Sequence, residues 1–123
     1  MSNTIMVVDD EQDIRESIQM LLETKGYEVI LAESGMDCLE KLKNIKPDLI
    51  ISDFFMSKMS GRETIKKIRE DTSFNDVKII FLTVAEFQGE AFEKELNDLG
   101  ISDYIQKPFD SGDFINRVEK ILQ

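Results

Sequence analysis

The chain has 123 residues, which suits one domain with a hydrophobic core of its own. Its formal net charge of −10 argues against direct nucleic-acid binding by this domain, since such binding requires a basic face. The sequence contains no histidine, which excludes a Ser-His-Asp triad and the usual zinc ligands. It has no apolar run of membrane-spanning length and no signal-peptide pattern, so we expect a cytoplasmic protein without membrane contact.

The first half of the chain alternates apolar runs with amphipathic segments. Strands are predicted at residues 5–8, 28–32 and 49–53. Residues 11–25 show the apolar period of a helix, and Gly26 is well placed to end it. Ser34 is predicted to cap the next helix, in which Cys38 would be a small buried apolar residue. As the single cysteine of the chain, Cys38 cannot form an intrachain disulfide.

The second half continues this alternation after a loop at residues 54–60 that is long enough to carry functional groups. Helices are predicted at residues 61–70, 86–99 and 110–122, and strands at residues 78–83 and 103–107. Gly100 is expected to end the fourth helix, and Pro108 is expected to end the fifth strand.

The pattern is five repeats of a strand followed by a helix, without a linker or a low-complexity tract. Short, nearly continuous apolar strands are typical of a parallel sheet that is covered by helices on both faces. Right-handed crossovers then favour a doubly wound (βα)5 fold of the flavodoxin-like kind, with five parallel strands in the order 2-1-3-4-5. We therefore predict one α/β domain over residues 1–123.

Polar side chains stand at the carboxyl ends of four predicted strands. Asp9 and Asp10 follow the first strand, and Asp53, Thr83 and Lys107 end the third, fourth and fifth strands. Because the carboxyl ends of parallel strands meet at one crevice, these side chains are expected to lie close together. Carboxylates at short range repel each other, and Mg²⁺ relieves this repulsion because it prefers carboxylate oxygens. The sequence therefore predicts a magnesium site that handles phosphate.

The same residues suit transfer of a phosphoryl group to a carboxylate. Asp53 can act as the nucleophile and form an acyl phosphate, with Mg²⁺ held by Asp9 and Asp10. Lys107 and Thr83 can contact the phosphoryl oxygens through a positive charge and a hydroxyl.

Taken one at a time, these residues also have ordinary structural interpretations. Asp10 fits a helix N-cap, and Asp53 fits a turn. Thr83 suits a strand end, and an isolated Lys107 would most often be a solvated surface lysine. The functional interpretation rests on their occurrence together at strand ends.

The chain resembles the receiver domains of two-component response regulators, of the kind found in chemotaxis. The matching motifs run from end to end of the chain. They are Val7-Val8-Asp9-Asp10-Glu11, Asp53-x-x-Met56-x-x-Met59-x-Gly61, the strand-end Thr83, and Asp103-Tyr104-Ile105-x-Lys107-Pro108-Phe109.

The resemblance implies a metal site around the phosphoacceptor. Asp53 would be the phosphoacceptor and also a metal ligand. Asp10 would bind Mg²⁺ directly, Asp9 would act mostly through water, and the backbone carbonyl of Phe55 would be a further ligand. Mn²⁺ would substitute for Mg²⁺.

The resemblance also implies a switch. Thr83 and Lys107 would contact the phosphoryl group, and Tyr104 would be the aromatic residue that moves with Thr83. The peptide bond between Lys107 and Pro108 would be cis, a form that proline tolerates.

The implied partners are a histidine kinase or histidine phosphotransfer protein as donor, and a downstream protein or output domain as target. The resemblance makes the chain a signalling phosphoacceptor that promotes its own phosphorylation and dephosphorylation, rather than an enzyme. The surface formed by the fourth helix, fifth strand and fifth helix would read out the switch, and it could pair two copies in a homodimer. Asp103 and Arg117 lie there, as solvated charges or as a pair across that dimer. The last helix runs to Gln123, which favours a stand-alone receiver.

Three residues depart from the family pattern. Ser57 stands where proline usually follows Met56, Phe55 is bulkier than usual, and Val84 replaces a smaller residue after Thr83. Phe55 and Val84 are predicted to narrow the approach of water and to lengthen the lifetime of the acyl phosphate.

Three competing functions fit less well. An FMN binder of the same architecture would need a Ser, Thr and Gly-rich loop after the first strand, where Asp9, Asp10 and Glu11 would repel phosphate. A haloacid-dehalogenase-type phosphatase would need a second aspartate where Glu11 stands. A degenerate receiver that serves only as a scaffold is disfavoured because Asp10, Asp53 and Lys107 are present.

Overall fold

Strands and helices alternate along the chain, of which the computed structural model describes residues 3–83 and 89–123. The strands are β1 (Thr4–Val8), β2 (Glu28–Ala32), β3 (Leu49–Asp53), β4 (Lys78–Thr83) and β5 (Asp103–Gln106). The helices are α1 (Gln12–Thr24), α2 (Gly35–Lys41), α3 (Gly61–Arg69), α4 (Glu90–Asp98) and α5 (Ser111–Leu122), with a 3-10 turn at Thr72–Phe74. Within the described residues, none of these helices has the length and apolar character needed to cross a lipid bilayer.

The strands form one sheet in the order β2-β1-β3-β4-β5, and all neighbouring strands are parallel. This confirms the predicted doubly wound α/β fold with strand order 2-1-3-4-5. In the register of the sheet, Val8 of β1 lies beside Ser52 of β3, and Thr83 of β4 lies beside Gln106 of β5. The residues that follow these positions therefore gather at one edge of the sheet.

Helices cover both faces of the sheet because alternate strand residues point to opposite sides. Ile5 and Val7 of β1 belong to one buried cluster, which they share with residues of α1 and α5. Met6 and Val8 belong to a second buried cluster, shared with residues of α2 and α3. Strand β3 is buried along its whole length, as expected for the centre of a parallel sheet. The carboxyl edge therefore rests on a core that is packed on both sides.

The predicted helix caps are largely confirmed. The Ser34 side chain accepts a hydrogen bond from the N–H of Asp37 at 3.0 Å, and Cys38 is fully buried. Gly26 and Gly100 have positive φ and follow the last turns of α1 and α4. These caps fix where α1, α2 and α4 meet the sheet.

Some predicted boundaries are wrong. Helix α4 begins at Glu90, because Gly89 precedes it with a φ of +107°, which lies outside the helical region. The first residues of the predicted helix 86–99 lie outside the described residues. The N-cap of α1 is Glu11, so the alternative interpretation of Asp10 as that cap is wrong. The remaining ends, including that of β5, differ from prediction by amounts typical of frayed element ends.

Arg69, near the end of α3, joins three elements through backbone carbonyl groups. Its guanidinium donates hydrogen bonds to the carbonyl oxygens of Phe74 (2.7 Å), Val77 (2.9 Å), Leu99 (2.9 Å) and Gly100 (2.9 Å). These groups belong to the 3-10 turn, the approach to β4 and the end of α4. Because the guanidinium is a planar fork with five donors, it can satisfy acceptors that converge from several directions.

We predict that Arg69→Lys lowers the free energy of unfolding by about 1 to 3 kcal/mol, because an ammonium group cannot reach all these carbonyls at once. Urea denaturation is the measurement. The matched control is Arg62→Lys, which alters an ion pair with Glu95 at a side chain that is 54% exposed. Exposed ion pairs contribute little, so this control should stay within about 0.5 kcal/mol of wild type. Equal effects of the two substitutions would contradict the bridging role of Arg69.

Candidate functional site

The carboxyl edge of the sheet brings together the polar residues that the sequence singles out. Asp9 directly follows β1, with Asp10 next to it, while Asp53 and Thr83 end β3 and β4. Lys107 follows β5, and its N–H donates to the Thr83 carbonyl oxygen at 2.6 Å. The predicted convergence of these strand ends is therefore found in the structure.

Four carboxylates lie close enough to share a cation. Asp9, Asp10, Glu11 and Asp53 each offer a ligand oxygen, and these oxygens lie within 4.8 Å of one another. Asp9 and Asp53 are buried, whereas Asp10 and Glu11 are exposed. A set of hard oxygen donors that is partly open to water fits Mg²⁺, which keeps several waters in its coordination shell. Glu11 was not predicted as a ligand, although its place directly after Asp10 was a usable signal.

Lys107 places one positive charge against the buried part of this cluster. Its Nζ lies 2.9 Å from Asp9 Oδ2 and 3.5 Å from Asp53 Oδ2, and its side chain is only 8% exposed. The interpretation of Lys107 as a solvated surface lysine is therefore wrong. Burial acts to lower the pKa of Lys107, but the hydrogen bond to Asp9 and the charges of Asp53 and Asp9 outweigh it and raise the pKa overall. Lys107 is thus a fixed positive charge at neutral pH.

The Asp53 carboxyl group is buried, with 4% of the residue exposed. Burial raises the pKa of Asp53 to about 6, the charge of Asp9 adds to this effect, and Lys107 opposes it. The N–H of Phe55 lies 3.4 Å from Asp53 Oδ1. At neutral pH most Asp53 side chains are ionised in a poorly solvated position, a state suited to a carboxylate nucleophile.

Asp9 is held from several sides and is fully buried. Its Oδ1 accepts a hydrogen bond from the Glu11 N–H at 2.9 Å, and its Oδ2 accepts from Lys107. Its backbone carbonyl oxygen accepts a hydrogen bond from Arg15 at 2.7 Å, a contact without a signal in the sequence pattern. The Asp9 carboxylate therefore has a fixed orientation in the folded protein, and its predicted action on a cation through water stays a prediction.

Asp10 points its carboxylate across the site toward the loop between β3 and α3. The Oδ2 atom accepts hydrogen bonds from Ser57, from its N–H at 3.0 Å and from its hydroxyl at 3.3 Å. Helix α1 begins at Gln12, so Asp10 lies one residue before its N-cap, and the Asp10 carboxylate contacts Ser57 instead. This contact was missed because the pairing depends on how two distant loops fold against each other.

Phe55 lies two residues after Asp53, and the residue is 50% exposed. Its ring packs edge-on against the Phe54 ring, with ring centres 5.1 Å apart. Its backbone carbonyl as a metal ligand stays a prediction. Val84, the other residue expected to shield the acyl phosphate, lies outside the described residues, so the predicted long lifetime also stays a prediction.

Thr83 is buried at the end of β4, and Tyr104 is half-buried on β5. The Tyr104 ring packs edge-on against Phe92 of α4, with ring centres 5.4 Å apart. Tyr104 therefore links β5 to α4 through this ring contact. Its role as the aromatic switch residue stays a prediction.

Asp103 and Arg117 pair within one chain. Arg117 Nη1 lies 2.8 Å from Asp103 Oδ2, and Arg117 Nε lies 3.0 Å from Asp113. The fold brings the start of β5 close to α5. The sequence suggested either an ion pair between two copies of the chain or separately solvated charges, and the structure instead shows an ion pair within one chain.

The sequence of the chain matches the family described as response regulator receiver domain over residues 5–119. The chain is 39% identical to the alkaline phosphatase synthesis transcriptional regulatory protein PhoP of Bacillus subtilis, over all of this chain and 50% of that protein. It is 36% identical to the phosphate regulon transcriptional regulatory protein PhoB of Pseudomonas aeruginosa, over 98% of this chain and 52% of that protein. The chain thus spans about half the length of these regulators.

Solved structures show the same similarity. The chemotaxis response regulator CheY4 of Vibrio cholerae superimposes with a TM-score of 0.89 at 27% identity, over 98% of this chain and 99% of that one. Together with the family match, this similarity shows that the chain belongs to the receiver domain family of two-component response regulators.

Proposed function

We propose that Asp53 accepts a phosphoryl group from a phosphohistidine of a histidine kinase or a histidine phosphotransfer protein. The buried Asp53 carboxylate, 3.5 Å from Lys107 Nζ inside a cluster of acidic groups, carries this proposal. One Asp53 oxygen attacks phosphorus, and the P–N bond to the donor imidazole breaks with its electron pair returning to nitrogen. The product is an acyl phosphate, and no general base is needed because the nucleophile is already ionised.

The acidic cluster would hold Mg²⁺, for which Mn²⁺ can substitute. Asp10 and Asp53 would bind it directly together with the Phe55 carbonyl, and Asp9 would act mostly through water. When bound there, the cation would neutralise charge on the incoming phosphoryl oxygens and on the carboxylates around them. The close approach of the ligand oxygens within this cluster supports the assignment.

Lys107 and Thr83 would contact the transferred group. The Lys107 ammonium already lies near Asp53, so a phosphoryl oxygen on Asp53 can replace the carboxylate oxygen as its partner. Thr83 would donate its hydroxyl from the neighbouring strand end. Catalysis then rests on positioning and charge stabilisation, which are the main requirements of phosphoryl transfer.

The phosphorylated state would change the surface of α4, β5 and α5. Movement of Thr83 toward the phosphoryl group would make room for Tyr104, whose ring contacts Phe92 of α4. Phosphate shifts this equilibrium only through contacts that differ between the two states. This surface would control a downstream protein or an output domain, and it could also pair two copies of the chain.

In this account the chain is a signalling phosphoacceptor that promotes its own phosphorylation and dephosphorylation in the cytoplasm. Its curated relatives include transcriptional regulatory proteins that are about twice its length. An output in transcription would therefore depend on a partner or on further sequence.

We predict that acetyl phosphate with Mg²⁺ adds one phosphoryl group to wild type and none to Asp53→Asn, because an amide cannot serve as the nucleophile. Intact-mass spectrometry is the measurement, and EDTA should abolish labelling of wild type. Asp98→Asn, a change at an exposed aspartate of α4, is the matched control and should be labelled like wild type. Equal labelling of Asp53→Asn and wild type would contradict the assignment of Asp53 as the phosphoacceptor. If wild type is not labelled, a degenerate receiver that serves only as a scaffold is favoured.

We also predict a pH-dependent stability effect at Asp53 in metal-free protein. Folded Asp53 keeps its proton up to a pKa of about 6, whereas the ordinary value is 3.8, so the folded state binds more protons between these values. The protonated Asp53 side chain therefore stabilises the folded state fully below pH 3.8. This stabilisation is lost as the pH rises through about 6, the pKa in the folded protein. At about pH 8, Asp53→Asn should therefore be more stable than wild type by about 2 to 3 kcal/mol.

Urea denaturation in EDTA between about pH 4 and 8 measures this difference. The difference in the free energy of unfolding between Asp53→Asn and wild type should shrink as the pH falls. It should nearly vanish at about pH 4. Asp98→Asn should show no comparable trend because that side chain is exposed. A gain that does not change with pH would contradict the raised pKa.

A further inference from the structure

Ser57 contacts Asp10 from a loop that lies far away in sequence. Its N–H and its hydroxyl lie 3.0 Å and 3.3 Å from the same oxygen, Asp10 Oδ2. Both donors therefore hold one side of the carboxylate and leave the Oδ1 side available to a cation. Asp10 and Ser57 also line an open groove of about 460 Å³, so a hydrated cation can reach them from solvent.

The backbone that follows Ser57 forms a tight turn. The Met59 N–H donates to the Ser57 carbonyl oxygen at 2.9 Å, which closes a three-residue turn. Lys58, at the centre of that turn, has a φ of +68°, a region that non-glycine residues rarely adopt. Such strain persists where surrounding contacts determine the conformation, and the two bonds to Asp10 are contacts of that kind.

Without these bonds Asp10 would be an exposed aspartate that must lose side-chain freedom when it binds a cation. Asp9 and Asp53 are already held by burial and by Lys107, whereas Asp10 is exposed and is held by a partner in a loop. Hydrogen-bonding partners that orient a ligand commonly raise metal affinity.

We propose that Ser57 is a positioning residue for the metal site, and that it orients the Asp10 carboxylate before the cation binds. This inference rests on the proposed magnesium site. A proline at this position would have neither the N–H nor the hydroxyl. The loop between β3 and α3 thereby sets the magnesium concentration at which the phosphoacceptor becomes competent.

The test is the Mg²⁺ dissociation constant of unphosphorylated protein, measured by calorimetry. Ser57→Pro removes both donors and should weaken Mg²⁺ binding about threefold to tenfold. Ser57→Ala keeps the N–H and should cause a smaller loss, whereas Ser57→Thr keeps both donors and should bind like wild type. Unchanged or tighter binding by Ser57→Pro would overturn the inference.

Ser111→Pro is the matched control for the introduction of proline. Ser111 is the first residue of α5, where proline is well tolerated, and it follows Asp110 in an extended conformation. This variant should bind Mg²⁺ like wild type. A comparable loss in Ser111→Pro would assign the effect to proline itself and overturn the inference.

A second measurement stays decisive if Ser57→Pro fails to fold. The amide proton of Ser57 in wild type, observed by NMR, should remain protected from exchange when Mg²⁺ saturates the protein. In Asp10→Ala that protection should be lost. Loss of protection in wild type on Mg²⁺ addition would show that Asp10 leaves Ser57 to bind the cation, which overturns a positioning role.

These outcomes are separable from failure of the proposed function. If wild type and Asp10→Ala bind Mg²⁺ equally, the proposed site is wrong and the Ser57 inference fails with it. If wild type binds and Asp10→Ala does not, while Ser57→Pro binds like wild type, only the inference about Ser57 is wrong.

Discussion

The site depends on the balance between two buried carboxylates and one buried ammonium group. Lys107 Nζ lies within 3.5 Å of oxygens from both Asp9 and Asp53, and all three side chains are largely shielded from water. One positive charge cannot neutralise two buried negative charges together with the adjacent Asp10 and Glu11. Burial raises the pKa of Asp53, and the charge of Asp9 adds to this effect. The excess negative charge favours the cation site proposed above.

The fold creates this imbalance through the register of a parallel sheet. Strands β1, β3, β4 and β5 end at one edge, and each contributes a polar residue where its apolar run stops. Two packed clusters on opposite faces hold these strand ends in place. The rigid core thereby maintains a charge arrangement that would be unfavourable in a flexible chain.

Sequence patterns predicted the sheet order and the carboxylate cluster because both follow from local periodicity and from the position of strand ends. They missed contacts that depend on how separate loops pack, such as Ser57 with Asp10 and Arg69 with the carbonyls of α4. The pairing of Asp103 with Arg117 inside the chain likewise required the relative placement of β5 and α5. Such contacts leave little periodic signal in the sequence because their partners lie far apart along the chain.

The most direct test of the account is the stabilisation of the folded protein by Mg²⁺ in wild type and in Asp10→Ala. A ligand that binds only the folded state at about 100 times its dissociation constant should add roughly 2.7 kcal/mol to the free energy of unfolding. We predict this gain for wild type and for Asp98→Ala, and almost none for Asp10→Ala, in urea denaturation with and without Mg²⁺. An equal gain in Asp10→Ala would contradict a cation site built on the excess charge of this cluster.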